Sequence, residues 1–460
     1  MQEILKCPRR QFTKMSVGIA GAAFLSPSEV FALEDALISE EDLAFLRELT
    51  LRTIAKCRAE VTMDGQKFPV YLPSGSRQYP AFWTRDACWI VASGLLKTAE
   101  IEPMLEVLAR TQNGPELRKL KHGLEVPPWA VADHVVLENG GAVFFPGTYS
   151  ASDYQGKGRH GKRAAQDACY MFIELAHLWH RQSGSTSLFK KAIAGVSLLE
   201  RLEHAFASPE HDGETELAFT RAESRAVAFS DAIVKTGFLL EGSILRWRAA
   251  RRLASILAEV NSPKRSAHYR EIAERIQTNL PHKLWQADDP NRGWLLSASE
   301  IGRRVCVRGT SFALALGILD QERAAQASRA FAAATTTPAL EKVPTQGQIT
   351  YQGHIRHLRN GEYWDNTPMR KESYQNGGYW GMFTGWFVRG LAVSNPDLAR
   401  KTAQVFLAHM RKHSFFDGSN ETQRGAPWEW IHPNGRRVGP LYAATVTLPY
   451  RGFEAGFRVQ

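Results

Sequence analysis

Ala164-Ala165-Gln166-Asp167-Ala168-Cys169-Tyr170-Met171-Phe172-Ile173-Glu174-Leu175-Ala176-His177-Leu178-Trp179-His180-Arg181 sets the fold reading. Apolar side chains recur in it at steps of three and four, the spacing of one helix face. Five residues later, 187–205 repeats the period, so the two segments read as a helical hairpin. The same period runs through 41–56, 87–98, 101–112, 234–259, 266–280, 310–319, 322–334, 379–394, 396–413 and 441–456. Strand signals are few, with 142–146 and 348–352 the best of them.

Between the helical pairs lie segments rich in glycine, proline and aromatic residues, at 64–82, 124–160, 207–230, 285–308, 336–378 and 414–440. Loops of that length inside a domain usually carry function. Loops that follow successive hairpins should gather at one end of the assembly. The expectation is an all-α toroid of helical hairpins, with long loops on one face and residues 33–460 as a single domain.

Composition is that of a globular chain, 44% apolar and 23% charged, with a formal charge of +10. The basic residues form only short clusters such as Arg248–Arg252, and no zinc-finger or RNA-binding signature occurs, so no nucleic-acid partner is expected. Arg9-Arg10-Gln11-Phe12-Thr13-Lys14 leads into the apolar run Met15–Leu25 and the small residue Ala32. This resembles a twin-arginine signal over 1–32, which implies the twin-arginine export machinery as a partner and a periplasmic location. The run is too short to span a bilayer, and no later stretch is long enough. Cys57, Cys88, Cys169 and Cys306 show neither zinc spacing nor a disulfide framework, so free thiols and no metal are expected.

Five constellations carry candidate chemistry. Phe82-Trp83-Thr84-Arg85-Asp86-Ala87-Cys88-Trp89 places a cation and a carboxylate side by side between rings. Indoles offer flat apolar faces and charged groups offer directed hydrogen bonds, a combination suited to a saccharide. Gln166-Asp167 opens a helix ahead of Tyr170, and Phe229-Ser230-Asp231 runs from a loop towards another. Tyr374-Gln375-Asn376-Gly377-Gly378-Tyr379-Trp380 sets amides among rings beside two glycines, where a polyol can approach closely. Pro427-Trp428-Glu429-Trp430-Ile431-His432-Pro433 brackets a carboxylate with indoles, whose desolvation favours its protonated form. Two carboxyls on opposite sides of one sugar suffice for glycoside hydrolysis.

The order Trp83-Thr84-Arg85-Asp86, Asp231, Tyr374–Trp380 and Glu429-Trp430-Ile431-His432-Pro433 resembles the six-hairpin (α/α)6 glycosidases, among them glucoamylases, trehalases, neutral invertases and processing α-glucosidases. The resemblance implies an inverting, exo-acting and α-glucosidase-like hydrolase of a saccharide, with no cofactor. It implies that Arg85 and Asp86 grip the terminal sugar, that Asp231 is the general acid, and that Glu429 is the base. Asn376 and Trp380 would line the terminal-sugar subsite, with Trp83, Gln166, Asp167, Tyr374, Gln375 and Trp428 as further substrate-binding candidates. The chain departs from these relatives in lacking their large N-terminal β-domain and the glycine- and serine-rich surroundings of the acid. Asp153, Asp167 and Asp365 therefore stand beside Asp231 for that role. A sugar epimerase using histidines (His354, His357, His432), a uronide hydrolase or lyase using Arg85, Arg308 and Arg356, and a non-catalytic sugar binder are the alternatives.

Overall fold

The computed structural model describes residues 36–337, 348–359, 361–416 and 425–454. The expected signal at 1–32 lies outside the described residues. The helices are α1 (Glu40–Lys56), α2 (Thr84–Val91), α3 (Thr98–Thr111), α4 (Asp167–Ser183), α5 (Leu198–Ala207), α6 (Leu240–Glu259), α7 (Pro263–Leu284), α8 (Val307–Leu316), α9 (Gln321–Thr336), α10 (Thr384–Ala392), α11 (Pro396–His413) and α12 (Ala444–Phe453). Local chemistry fixes their ends. The Ser39 side chain accepts from the Asp42 amide ahead of an acidic first turn in α1. Pro263 and Pro396 sit at the starts of α7 and α11, where a missing N–H costs nothing.

Helix α4 packs against α2, α3, α5 and α6, and α10 packs against α8, α9, α11 and α12. Apolar side chains from Leu37 to Phe453 belong to one buried cluster. Helices covered on several sides are apolar nearly all round, as α4 is from Asp167 to Ala176.

The all-α toroid is not what the chain forms. Seven antiparallel sheets occur among the described residues, one of them five-stranded. With 46% helix and 18% strand, the fold is mixed α and β. Strands occur within the expected segments 142–146 and 348–352, at Ala142–Val143 and Thr350–Tyr351; most others escape a periodicity reading because they are two to six residues long. Asp64 and Gly65, both at positive φ, turn the hairpin of Arg58–Met63 with Gln66–Tyr71. Ala194 and Gly195 do the same within the expected helix 187–205, so α5 starts only at Leu198, behind a Ser197/Glu200 capping box. The long loops thus fold back as short ladders that satisfy their own amides.

Two sheets position the functional residues. The five-stranded sheet runs in the order Thr350–Tyr351, His354–Arg356, Tyr379–Trp380, Trp428–Ile431 and Arg437–Pro440. A three-stranded sheet pairs Ala81–Trp83 with His134–Val136 and then Ala142–Val143, setting Trp83 opposite His134.

A buried ionic network joins α4 to α6. The Glu174 carboxylate on α4 lies 2.8 Å from Arg248 and 2.8 Å from Arg252 on α6. Burial alone would raise its pKa, but the two guanidiniums outweigh burial and hold it at about 2. Because the folded value is depressed, the network stabilises the protein fully above the ordinary carboxylate pKa and loses that contribution as pH falls towards 2. Glu174→Ala should destabilise the fold by about 3–5 kcal/mol at pH 7, since it strands buried cations. Urea unfolding across pH 2–7 should show the gap from wild type narrowing in acid.

Candidate functional site

The strand Ala81–Trp83 runs directly into α2, which places Trp83, Arg85 and Asp86 at a strand-to-helix junction. Two bonds clamp that junction to the neighbouring strand: the Thr84 amide donates to the Asp133 carbonyl at 3.0 Å, and its hydroxyl to Ala132 at 2.6 Å. The clamp stacks Trp83 on His134, with centroids 4.3 Å apart, and brings Asp133 to Arg85. Asp133 in turn holds His134 Nδ1 at 2.8 Å.

Arg85 Nε donates to Asp167 Oδ2 at 2.7 Å, and the Phe229 amide donates to the same oxygen at 3.2 Å. Asp86 accepts from the Tyr442 hydroxyl at 2.8 Å. Burial pushes the Asp86 carboxyl up to about 6 against the pull of Arg85 and Tyr442, with Asp133 and Asp231 adding to the rise.

Glu429 comes from the strand Trp428–Ile431 and is buried. Tyr79 donates to its Oε1 at 2.5 Å and Gln78 to its Oε2 at 3.2 Å. Both oxygens accept, which suits the ionised form, yet burial, with Asp86 and Asp231, lifts the pKa to about 8. Gly439 stands beside it at φ 67°, and a Cβ there would meet Glu429 Cβ at 2.7 Å, so the carboxyl requires a glycine on the next strand.

Asp231 is half-buried and accepts from Gln375 Nε2 at 2.8 Å, while Gln375 Oε1 accepts from the Ala232 amide at 3.0 Å. Tyr374 lies in the field of both acids: burial, then Asp231 and Glu429, raise its pKa well above the ordinary value. Exposed Tyr149 packs near Trp83 and His134, and burial followed by Glu429, Asp133 and Asp231 raises it to about 12. Contacts link Asp86 to Glu429 through Tyr442 and Tyr79, whose rings lie 6.2 Å apart, and the charge of Asp231 acts on both acids. Among the described residues no group of three His, Cys, Asp or Glu side chains is placed to hold a metal.

Several expected site residues serve other purposes. Trp380 is fully buried, its indole donating to the Tyr374 carbonyl at 3.1 Å. Asn376 spends its amide on the backbone of Trp364 and Met369. Gln166 donates to the Phe219 carbonyl at 3.2 Å. Trp428 turns to His409 and His413 of α11, on the far side of the strand from Glu429. Asp167 is bound to Arg85, Asp153 is exposed, and Asp365 is exposed against Arg304 at 2.5 Å. None of these three joins the cluster as Asp231 does.

The epimerase histidines scatter. His354 pairs with His409 at 3.2 Å, His357 with Ser230 at 3.3 Å, and His432 accepts from the Asn434 amide. Arg308 is buried against Glu241 and Phe229, and Arg356 beside Tyr363 and Tyr379, so neither offers the cation of a uronate site. Gln78, Tyr79, Asp133, His134, Tyr149 and Tyr442 went unnoticed in the sequence. They sit in loops or short strands, and only their place within the long segments 64–82, 124–160 and 414–440, or just after the last of these, pointed to them.

Because the folded Glu429 pKa lies above its ordinary value, its contribution to stability is present at acid pH and lost as pH rises through about 8. Glu429→Gln should therefore melt several degrees above wild type at pH 9, with the difference vanishing near pH 4. Tyr79→Phe removes a donor that lowers this pKa, so the carboxyl should titrate at higher pH by infrared difference spectroscopy.

No family model and no curated protein matches the chain. Among solved structures, the fold is similar to the crystal structure of a GH78 family rhamnosidase of Bacillus sp. GL1, at 10% sequence identity and a TM-score of 0.54. The alignment covers 92% of this chain and 35% of that one. The chain thus spans about a third of the length of the structure it matches, and the likeness is one of fold.

Proposed function

We propose that this chain is a glycoside hydrolase in which Glu429 and Asp231 handle the protons of an inverting, exo-acting reaction. The observation that carries the reading is the convergence of Asp86, Asp231 and Glu429 with tyrosine hydroxyls, next to the Trp83–His134 stack. The fold shared with a rhamnosidase supports the class.

Glu429 is the base. Its oxygens are held as acceptors by Tyr79 and Gln78, and once ionised, above about pH 8, it is a stronger base towards water than an ordinary carboxylate. Asp231, oriented by Gln375, protonates the leaving oxygen. Asp86, fixed by Tyr442, and Trp83 hold the terminal ring. Gln375 acts through Asp231 and is a positioning residue. Export by way of Arg9-Arg10 belongs to the same reading, and replacing both with Lys should leave the chain in the cytoplasm on fractionation.

A panel of aryl glycosides, α-glucoside and α-rhamnoside included, tests the activity. Glu429→Gln should lower kcat by roughly 10²–10⁴-fold on the substrate that turns over. Asp231→Asn should lose alkyl glycosides but retain much of its rate on aryl glycosides with good leaving groups. In wild type the rate should climb as pH rises through about 8, and Tyr79→Phe should move that limb to higher pH. Near-normal hydrolysis by Glu429→Gln, or no turnover across the panel, would remove the reading.

A further inference from the structure

Next to the strand that presents Glu429, the last turn of α11 and the strand Arg437–Pro440 form a basic environment. It holds a pocket of about 270 Å³ lined by Tyr351, Gln352, His409, Lys412, His413 and Arg437. Its size is near the lower end of small-ligand pockets. Among the described residues the lining includes no carboxylate. Among the described residues neither Lys412 nor Arg437 has an acidic partner within 4.0 Å.

The arrangement is built rather than a scatter of surface charge. The Arg437 guanidinium lies 4.8 Å from the centroid of buried Trp428 and donates to His413 Nε2 at 2.9 Å. Buried His409 is fixed by His354 at 3.2 Å and packs 5.1 Å from His413. Lys412 and His413 close the last turn of α11, where the helix dipole alone accounts for cations. Arg437 comes from the strand Arg437–Pro440 and has no such reason to be there. The positive field registers in His413, which burial, then Arg437 and Lys412, hold below its ordinary pKa.

We propose that this pocket binds a phosphate group, either inorganic phosphate or the ester of a small molecule. A tetrahedral dianion can take the planar fork of Arg437 and the point charge of Lys412 at once, with the Tyr351 hydroxyl and Gln352 amide supplying neutral donors. None of the residues lining the pocket belongs to the acid cluster, so its occupancy does not rest on the proposed hydrolase reaction.

Calorimetric titration of the full chain with inorganic phosphate and with glucose 6-phosphate, at constant ionic strength, tests the assignment. Saturable binding is expected in wild type and, unchanged, in Glu429→Gln. Lys412→Ala and Arg437→Gln should each weaken it by roughly tenfold. Lys412 is exposed, so its variant keeps the test readable if loss of the Arg437–Trp428 contact harms folding, which circular dichroism would reveal. Tighter binding of the ester than of the free ion identifies a phosphorylated small molecule, and equal binding identifies the ion. Absence of saturable binding, or equal affinity in folded variants, overturns the proposal.

Discussion

The Arg85 guanidinium holds together an acidic interior built from distant parts of the chain. Asp86, Asp133, Asp167 and Asp231 all act on it, and they raise its pKa although burial works the other way. Carboxylates packed this closely cannot all ionise in a low-dielectric interior without a fixed cation among them. Arg85 binds Asp167 at the start of α4, reaches Asp133 beside the paired strand, and lies 4.9 Å from the Phe229 ring just ahead of Asp231. One side chain thus gathers three distant stretches of chain around a single point.

Burial first, then the negative charge that Arg85 leaves uncompensated, keeps the neighbouring acids protonated to higher pH. Asp86 and Glu429 both titrate well above the ordinary carboxylate range. A site whose acids resist ionisation stores free energy that proton transfer can use, at some expense to stability. The neutral donors Tyr79, Gln78, Gln375 and Tyr442 orient the acids without cancelling their proton affinity. Polar residues elsewhere in the core follow a different logic: Glu174 is overwhelmed by two arginines and joins α4 to α6.

The strand Trp428–Ile431 divides two environments. On one side Glu429 faces tyrosines and acids; on the other Trp428 faces imidazoles and Arg437. Alternation sends the neighbours Trp428 and Glu429 out of the sheet in opposite directions, and Arg437 reaches Trp428 from the edge strand. The sequence reading placed two indoles around one carboxylate, as though all three shared a pocket. The pleat separates Trp428 from Glu429, and burial within the sheet, with the nearby acids, rather than a paired indole clamp, raises the carboxyl's pKa.

Periodicity along the chain determined where most helices lie, because one apolar face per helix is written into local spacing; α6, α7, α9 and α11 fall close to where that spacing puts them. Composition and aromatic clustering likewise brought Arg85, Asp86, Asp231 and Glu429 into view one by one. Tertiary structure alone decided the rest. Two-residue ladders carry no period, so of the strands that make the fold mixed only Ala142–Val143 and Thr350–Tyr351 lie where strand signals stood in the sequence. Partners such as Tyr79 with Glu429, Tyr442 with Asp86 and Asp133 with Arg85 lie 350, 356 and 48 residues apart, and only packing selects them. Trp380 and Asn376 look like ligand-facing groups on paper because residue type reports chemistry, whereas which way a side chain points depends on the neighbours that bury it.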